Sequence, residues 1–181
     1  MRTFAKLASD RTAAVAVEFA FILPVLVTLL FGTVEAANLT LAYMKVVGAA
    51  ETVADLVSQQ TTGTTWSATD IDNFVQAGKL VLTPLPTNSF GVAIASVTFA
   101  AANGTPTLAW QRTRNASPMT NPTALAAGYG TAETNGTFDS VIIVLATYTY
   151  TSPIRYLLAG SFTLSQTAYL RPRNVAAVTA S

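Results

Sequence analysis

The chain has 181 residues, a formal net charge of +1, and charged side chains at only 10% of its positions. It contains no His, which is the commonest general base and transition-metal ligand, and no Cys. Lys and Arg are scattered along the sequence, so no basic patch indicates a nucleic-acid partner. The composition therefore argues against most hydrolytic, metal-dependent and nucleic-acid-binding functions. We predict a protein that is not an enzyme and that has no metal and no cofactor.

The N-terminus has the pattern of a membrane-spanning segment. A short basic leader precedes an apolar run from Ala13 to Val34 that is interrupted only by Glu18. A helix rises about 1.5 Å per residue, so a helix of this length crosses a hydrocarbon core of about 30 Å. No Lys or Arg follows the run until Lys45. The positive-inside rule therefore predicts a cytoplasmic N-terminus and a C-terminal domain across the membrane.

Glu18 needs a physical explanation, because a carboxylate near mid-bilayer costs roughly 2.5–3.5 kcal/mol on insertion scales. Three interpretations are open. A secretory signal peptide would be cut before Ala37. A plain signal anchor would leave Glu18 as an incidental charge near the cytosolic interface. A prepilin signal would be cut between Ala13 and Ala14, which makes Glu18 the fifth residue of the mature chain. The new ammonium group of a neighbouring subunit can then pair with this carboxylate.

The third interpretation coincides with a family resemblance. The sequence Ala-Val-Ala-Val-Glu-Phe-Ala-Phe-Ile-Leu-Pro at 14–24 resembles the opening signature of TadE-like pseudopilins. These proteins are minor pilins of the tight-adherence (Flp/Tad) pilus system. The sequence Leu-Leu-Phe-Gly-Thr-Val-Glu at 29–35 also fits that pattern. The chain departs from it at Ala13, where the family usually has Gly before the cut.

The resemblance implies a bacterial inner-membrane protein with a periplasmic C-terminal domain. It implies processing by a prepilin peptidase, and association with the lipid bilayer, with other pilins or pseudopilins and with the Tad assembly platform. It also implies that Glu18, Phe19 and Pro24 act in assembly. Pro24 removes the backbone donor to the Ala20 carbonyl. It is interpreted either as a tolerated transmembrane proline or as a bend or melted turn that helps the helix to enter a filament.

The predicted domain organisation has three regions: a basic leader at 1–13, a transmembrane helix at 14–35 and an exported domain at 36–181. The predicted fold class is α+β, in which the transmembrane helix continues as a long amphipathic helix packed on a C-terminal antiparallel sheet. The predicted inward stripe of that helix comprises Leu39, Tyr43, Val46, Val47, Ala50, Val53, Ala54 and Val57. Alternatively, its membrane-proximal part, 39–47, contacts other subunits.

The exported part is predicted to contain a second helix and four strands. Ser-Ala-Thr-Asp at 67–70 predicts a helix N-cap with an acidic residue at the third position, and the helix continues to about Val81. Asp70 and Asp72 do not share a helix face, so we interpret them as favourable charges at a helix start rather than as a metal or acid–base pair. The predicted strands are 91–101, 108–112, 141–150 and 162–170.

The connections between the strands carry three further predictions. Asn103-Gly104 predicts a hairpin turn between the first two strands. Residues 154–158 predict a short helical turn before the last strand. Residues 115–137 have few large apolar groups, so they are predicted to form a long loop, with an intersubunit contact as its candidate role.

Two functions remain open on the sequence. The first is a minor pilin-like structural or assembly subunit of a tight-adherence, type IVb-related pilus. The alternative is a membrane-anchored periplasmic binding module that is not incorporated in a filament. Co-purification with other pilins distinguishes the two, because only a pilus subunit is expected to accompany them.

Overall fold

The computed structural model describes residues 11–100, 103–130, 139–156, 158 and 160–181, with side chains from Ala14 onward. The chain divides into two compact units. The helix–loop unit comprises the chain up to Thr40 together with Thr151–Ser161. The sheet unit comprises Leu41–Tyr150 and Phe162–Ser181. Residues 1–10 of the predicted leader lie outside the described residues.

One helix accounts for the first third of the chain. Helix α1 runs from Arg11 to Ser58 over 48 residues, which confirms that the apolar N-terminal helix continues as one element. Pro24 lies inside α1, and the helix is unbroken there. No melted turn interrupts α1 at Pro24, and a bend there that helps the helix to enter a filament stays a prediction. The hydroxyl of Thr28 donates to the Pro24 carbonyl at 2.8 Å.

Four strands form a single antiparallel sheet in the order β2-β1-β3-β4. Strands β1 and β3 occupy its centre, and β1 pairs antiparallel with both β2 and β3. This sheet, together with the long N-terminal helix, confirms the α+β fold class. The strands are β1 at Gly91–Phe99, β2 at Pro106–Arg114, β3 at Asp139–Thr151 and β4 at Ser161–Leu170.

The second half of α1 buries one face within the sheet unit, at the three- and four-residue spacing of an amphipathic helix. The buried apolar residues of this face are Ala42, Val46, Ala49, Ala50, Val53, Ala54 and Val57. The predicted stripe is wrong at Tyr43, which is exposed and donates its hydroxyl to Gln166 Oε1 at 3.1 Å. Ala42 is buried instead, four residues before buried Val46 on the same face.

Helix α2, Ala68–Leu82, begins at the predicted capping box. The Ser67 hydroxyl accepts from the Asp70 amide at 3.2 Å, and Asp70 Oδ2 accepts from the Ser67 amide at 2.9 Å. The hydrogen bond from the Ser67 side chain, and to a smaller extent the one from the Ser67 backbone amide, lowers the pKa of the Asp70 carboxyl below its ordinary value. Asp72 forms an ion pair with Arg114 of β2. The two carboxylates therefore have separate partners.

The hairpin between β1 and β2 has the predicted turn. Gly104 has a φ of 67°, which favours glycine, and Asn103 Oδ1 accepts from the Thr105 amide at 3.1 Å. The Ala100 amide donates to the Thr105 carbonyl at 3.0 Å and closes the hairpin. Trp110, at the centre of β2, is buried and donates its indole N–H to the Val178 carbonyl at 2.7 Å.

The segment after β2 contributes to the core, contrary to its prediction as a loop poor in core residues. Met119 and Ala126 are buried in one cluster with residues of β1 and β3. Ala126 ends a short helix, α3, at Pro122–Ala126. The central strand β1 presents Ala93 and Ala95 to this cluster, so a few side chains of modest size are enough to cover it. Residues 131–137 of the predicted loop lie outside the described residues.

Two helix glycines provide a matched test of this packing. A Cβ added at Gly78 would lie 2.9 Å from Val53 Cγ2 and 3.2 Å from the Phe90 ring, and both neighbours are fully buried. A Cβ added at Gly48 would meet nothing closer than Val81 Cγ1 at 3.4 Å, an ordinary contact. We expect Gly78→Ala to destabilise the full chain by about 1–3 kcal/mol through overpacking. Gly48→Ala should stabilise it by roughly 0.5–1 kcal/mol through helix propensity.

Thermal unfolding of the two variants in detergent, followed by circular dichroism, measures both effects. Stabilisation of similar size in both variants would contradict the close approach of α2 to α1 at Val53.

Candidate functional site on the N-terminal helix

The first half of α1 has an apolar surface that the described chain leaves uncovered. Every side chain from Ala14 to Leu26 is exposed. The large apolar side chains in this range are Val15, Val17, Phe19, Phe21, Ile22, Leu23, Val25 and Leu26. Soluble monomers rarely expose a continuous apolar surface of this size, so lipid or other apolar helices are needed to cover it. Helix α1 is long and apolar enough to cross a membrane, and the candidate span begins at Ala14.

The predicted assembly residues all lie on this uncovered surface. Glu18, Phe19 and Pro24 are exposed. Among the described side chains, which begin at Ala14, Glu18 has no hydrogen-bond or ion-pair partner. Ala14 lies four residues before Glu18, so the two share one helix face, about one turn apart. The structure places the predicted cleavage site, Ala13 and Ala14, in the first turns of α1 and brings no second element to it among the described residues.

Glu35 is a second carboxylate on α1, and sequence reasoning gave it no separate role. Its side chain is only 1% exposed. Glu35 Oε1 accepts from the Ser152 hydroxyl at 3.0 Å and from the Tyr156 amide at 2.8 Å. Glu35 Oε2 accepts from the Leu158 amide at 2.8 Å. Both carboxylate oxygens are therefore engaged by one short segment, residues 152–158, which we call the Glu35 loop.

An aromatic contact adds to the attachment of the Glu35 loop. The ring of Tyr156 lies against the ring of Phe31, with centroids 5.3 Å apart and an interplanar angle of 46°. The Tyr156 hydroxyl lies 3.5 Å from Thr28 Oγ1. Thr28, Phe31 and Glu35 are three and four residues apart, so they share one face of α1. The loop is therefore attached to this face over about two helical turns.

The Glu35 loop is not the helical turn predicted at 154–158. Arg155 has a φ of 53°, in the left-handed region, and the described residues of the loop are not helical. The Arg155 amide donates to the Ser152 hydroxyl at 3.3 Å. Two further loop amides donate to Glu35 rather than to carbonyls of a local turn. Glu35 and its partners are 117 to 123 residues apart in sequence, so no local pattern indicates the contact.

The hydrogen bonds of Glu35 can be tested by proteolysis within the loop. Glu35→Ala leaves two amides and one hydroxyl without their acceptor, at a cost of about 1–3 kcal/mol for each buried group. The loop should therefore open more often, and trypsin should cleave after the exposed Arg155 at least ~10-fold faster in the detergent-solubilised full chain. Mass spectrometry of the fragments measures the rate.

Two further variants complete the test. Glu35→Gln keeps one acceptor oxygen and should give an intermediate rate. Glu51→Ala removes an exposed carboxylate of the same helix and should leave the rate unchanged. Equal rates for Glu35→Ala and the native chain would show that these hydrogen bonds do not hold the loop.

Comparison with known protein families identifies part of this helix. Residues 13–55 match the family model described as TadE-like protein. The matched segment begins at the predicted cleavage site, contains Glu18, Pro24 and Glu35, and ends within the buried half of α1. Neither a curated protein nor a solved structure matches the chain. The match confirms the resemblance indicated by residues 14–24, and the N-terminal helix of this chain is TadE-like over residues 13–55.

Proposed function

We propose that the protein is a minor pilin-like subunit of a tight-adherence pilus, held in the bacterial inner membrane by α1 before assembly. The observation that supports this best is the uncovered apolar surface at 14–26, which carries a single carboxylate, Glu18, inside a TadE-like segment. Such a surface suits a helix that exchanges lipid for other helices. The proposed role is structural, and no catalytic step is assigned to the chain.

In this proposal the N-terminus lies in the cytoplasm and the sheet unit lies in the periplasm. The basic leader and the absence of Lys and Arg between Arg11 and Lys45 support that orientation. A prepilin peptidase cuts between Ala13 and Ala14. The partners are other pilins or pseudopilins and the Tad assembly platform, and the TadE-like match supports association with pilus components in general.

The geometry of α1 gives the proposed charge pairing a definite form. After the cut, the new ammonium group is on Ala14, four residues before Glu18. Four residues of helix rise by about 6 Å. A parallel neighbour displaced along the axis by about one turn therefore brings its ammonium group beside Glu18. Pairing offsets the cost of placing either charge alone in a low-dielectric surrounding.

Substitution of Glu18 tests the proposal. Glu18→Ala and Glu18→Gln remove the charge without shortening the apolar span, so membrane insertion should remain normal while surface pili are lost. Glu51→Gln removes an exposed carboxylate beyond the span on the same helix, and it should leave piliation unchanged. Immunoblots of membranes and of sheared surface fractions measure the two properties separately. Normal piliation by Glu18→Ala, at native protein levels, would rule out the pairing.

A further inference from the structure

The Glu35 loop contacts α1 at a level that lies within the predicted hydrocarbon span. Residues 14–34 make about 32 Å of helix, which matches a hydrocarbon core of about 30 Å. A span that ended before Thr28 would offer only about 21 Å, too little to cross the core. Thr28 and Phe31 therefore lie in the outer half of the bilayer if α1 spans it. This step rests on the proposed membrane anchor.

Tyr156 is held at this level by its contacts with Phe31 and Thr28. Its side chain nevertheless remains 52% exposed, and that of Ile154 is 37% exposed. Tyr156 therefore continues the apolar surface of the helix–loop unit at the depth of Thr28 and Phe31, and Ile154 adds a second exposed apolar side chain to the loop. A tyrosine can lie at this depth, because its ring is apolar and its hydroxyl has a polar neighbour in Thr28 Oγ1.

Three backbone amides of the loop have the partners within the chain that a lipid surrounding requires. Irregular backbone is tolerated at membrane depth only where its polar groups have partners within the protein. Pro153 has no amide hydrogen to satisfy. The Arg155 amide donates to Ser152, and the amides of Tyr156 and Leu158 donate to Glu35. The buried carboxylate thus supplies the acceptors that hydrocarbon lacks.

We propose that the Glu35 loop is a second membrane-contacting element, seated in the outer leaflet at the depth of Thr28 and Phe31. Ile154 and Tyr156 face lipid there, and the long side chain of exposed Arg155 reaches the lipid phosphates. Glu35 is the positioning residue that keeps the loop at this depth.

Site-directed spin labelling tests the depth of the loop directly. The chain contains no Cys, so single-cysteine variants of the full chain carry one label each. Ile154→Cys reports on the loop, Leu30→Cys on the span, and Leu80→Cys on the exposed surface of α2; all three native side chains are exposed. The variants are reconstituted in vesicles of phosphatidylethanolamine and phosphatidylglycerol. Electron paramagnetic resonance compares collisions with oxygen, which enters lipid, and with a water-soluble nickel chelate.

We expect the label at position 154 to be accessible to oxygen and at least ~5-fold less accessible to the nickel chelate than the label at position 80. Its depth should be similar to that of the label at position 30, because Leu30 lies between Thr28 and Phe31, the residues that Tyr156 contacts. Adding Glu35→Ala to Ile154→Cys should shift the label towards water, whereas adding Glu51→Ala should not. An unchanged depth in the Glu35→Ala background would overturn the positioning role of Glu35.

Three other outcomes separate this inference from the proposed function. A label at 154 in water, with the label at 30 in lipid, overturns the inference and leaves the membrane anchor intact. A label at 30 in water overturns the anchor itself. A label at 154 protected from both reagents means that protein covers the loop, which overturns lipid contact in favour of a second copy of the chain.

Discussion

Hydrocarbon offers no hydrogen-bond partners, so each polar side chain on a membrane-spanning helix needs a partner within the protein or on a neighbouring helix. Thr28 and Thr33 donate to backbone carbonyls four residues earlier, at 2.8 and 2.7 Å. Glu35 engages a hydroxyl and two amides of the Glu35 loop. Glu18 is the polar side chain of this stretch that has no partner within the described residues. We propose that a neighbouring subunit supplies the partner that the Glu18 carboxylate lacks.

Glu18 and Glu35 thus serve different connections. Glu35 accepts hydrogen bonds from the same chain, and these bonds fix the Glu35 loop to the helix. Glu18 remains available on a surface where every neighbouring side chain is also exposed. The sheet unit has its own buried core, which includes Ile94 of β1 and Ile142 of β3. Its packing therefore depends on side chains of its own unit rather than on whatever covers the apolar span.

Sequence patterns predicted the elements whose causes are local. The apolar run predicted α1, the spacing of Ser67 and Asp70 predicted the capping box of α2, and Asn103-Gly104 predicted the hairpin turn. Patterns failed where distant packing decides the outcome. The spacing of apolar residues in α1 predicted that Tyr43 is buried, but the structure buries Ala42 and exposes Tyr43. Met119 was missed because a segment rich in small polar residues supplies few but sufficient core contacts. The partners of Glu35 are more than a hundred residues away and leave no local signal.

The mass of the mature chain recovered from the membranes of the producing bacterium tests the central claim most directly. Cleavage by a prepilin peptidase predicts a chain that begins at Ala14, with Glu18 as its fifth residue and an ammonium group one turn before it. A chain that still begins at Met1 would contradict the account, because no new ammonium group would exist to pair with Glu18. A chain that begins at Ala37 would also contradict it, because both carboxylates of the span would have been removed.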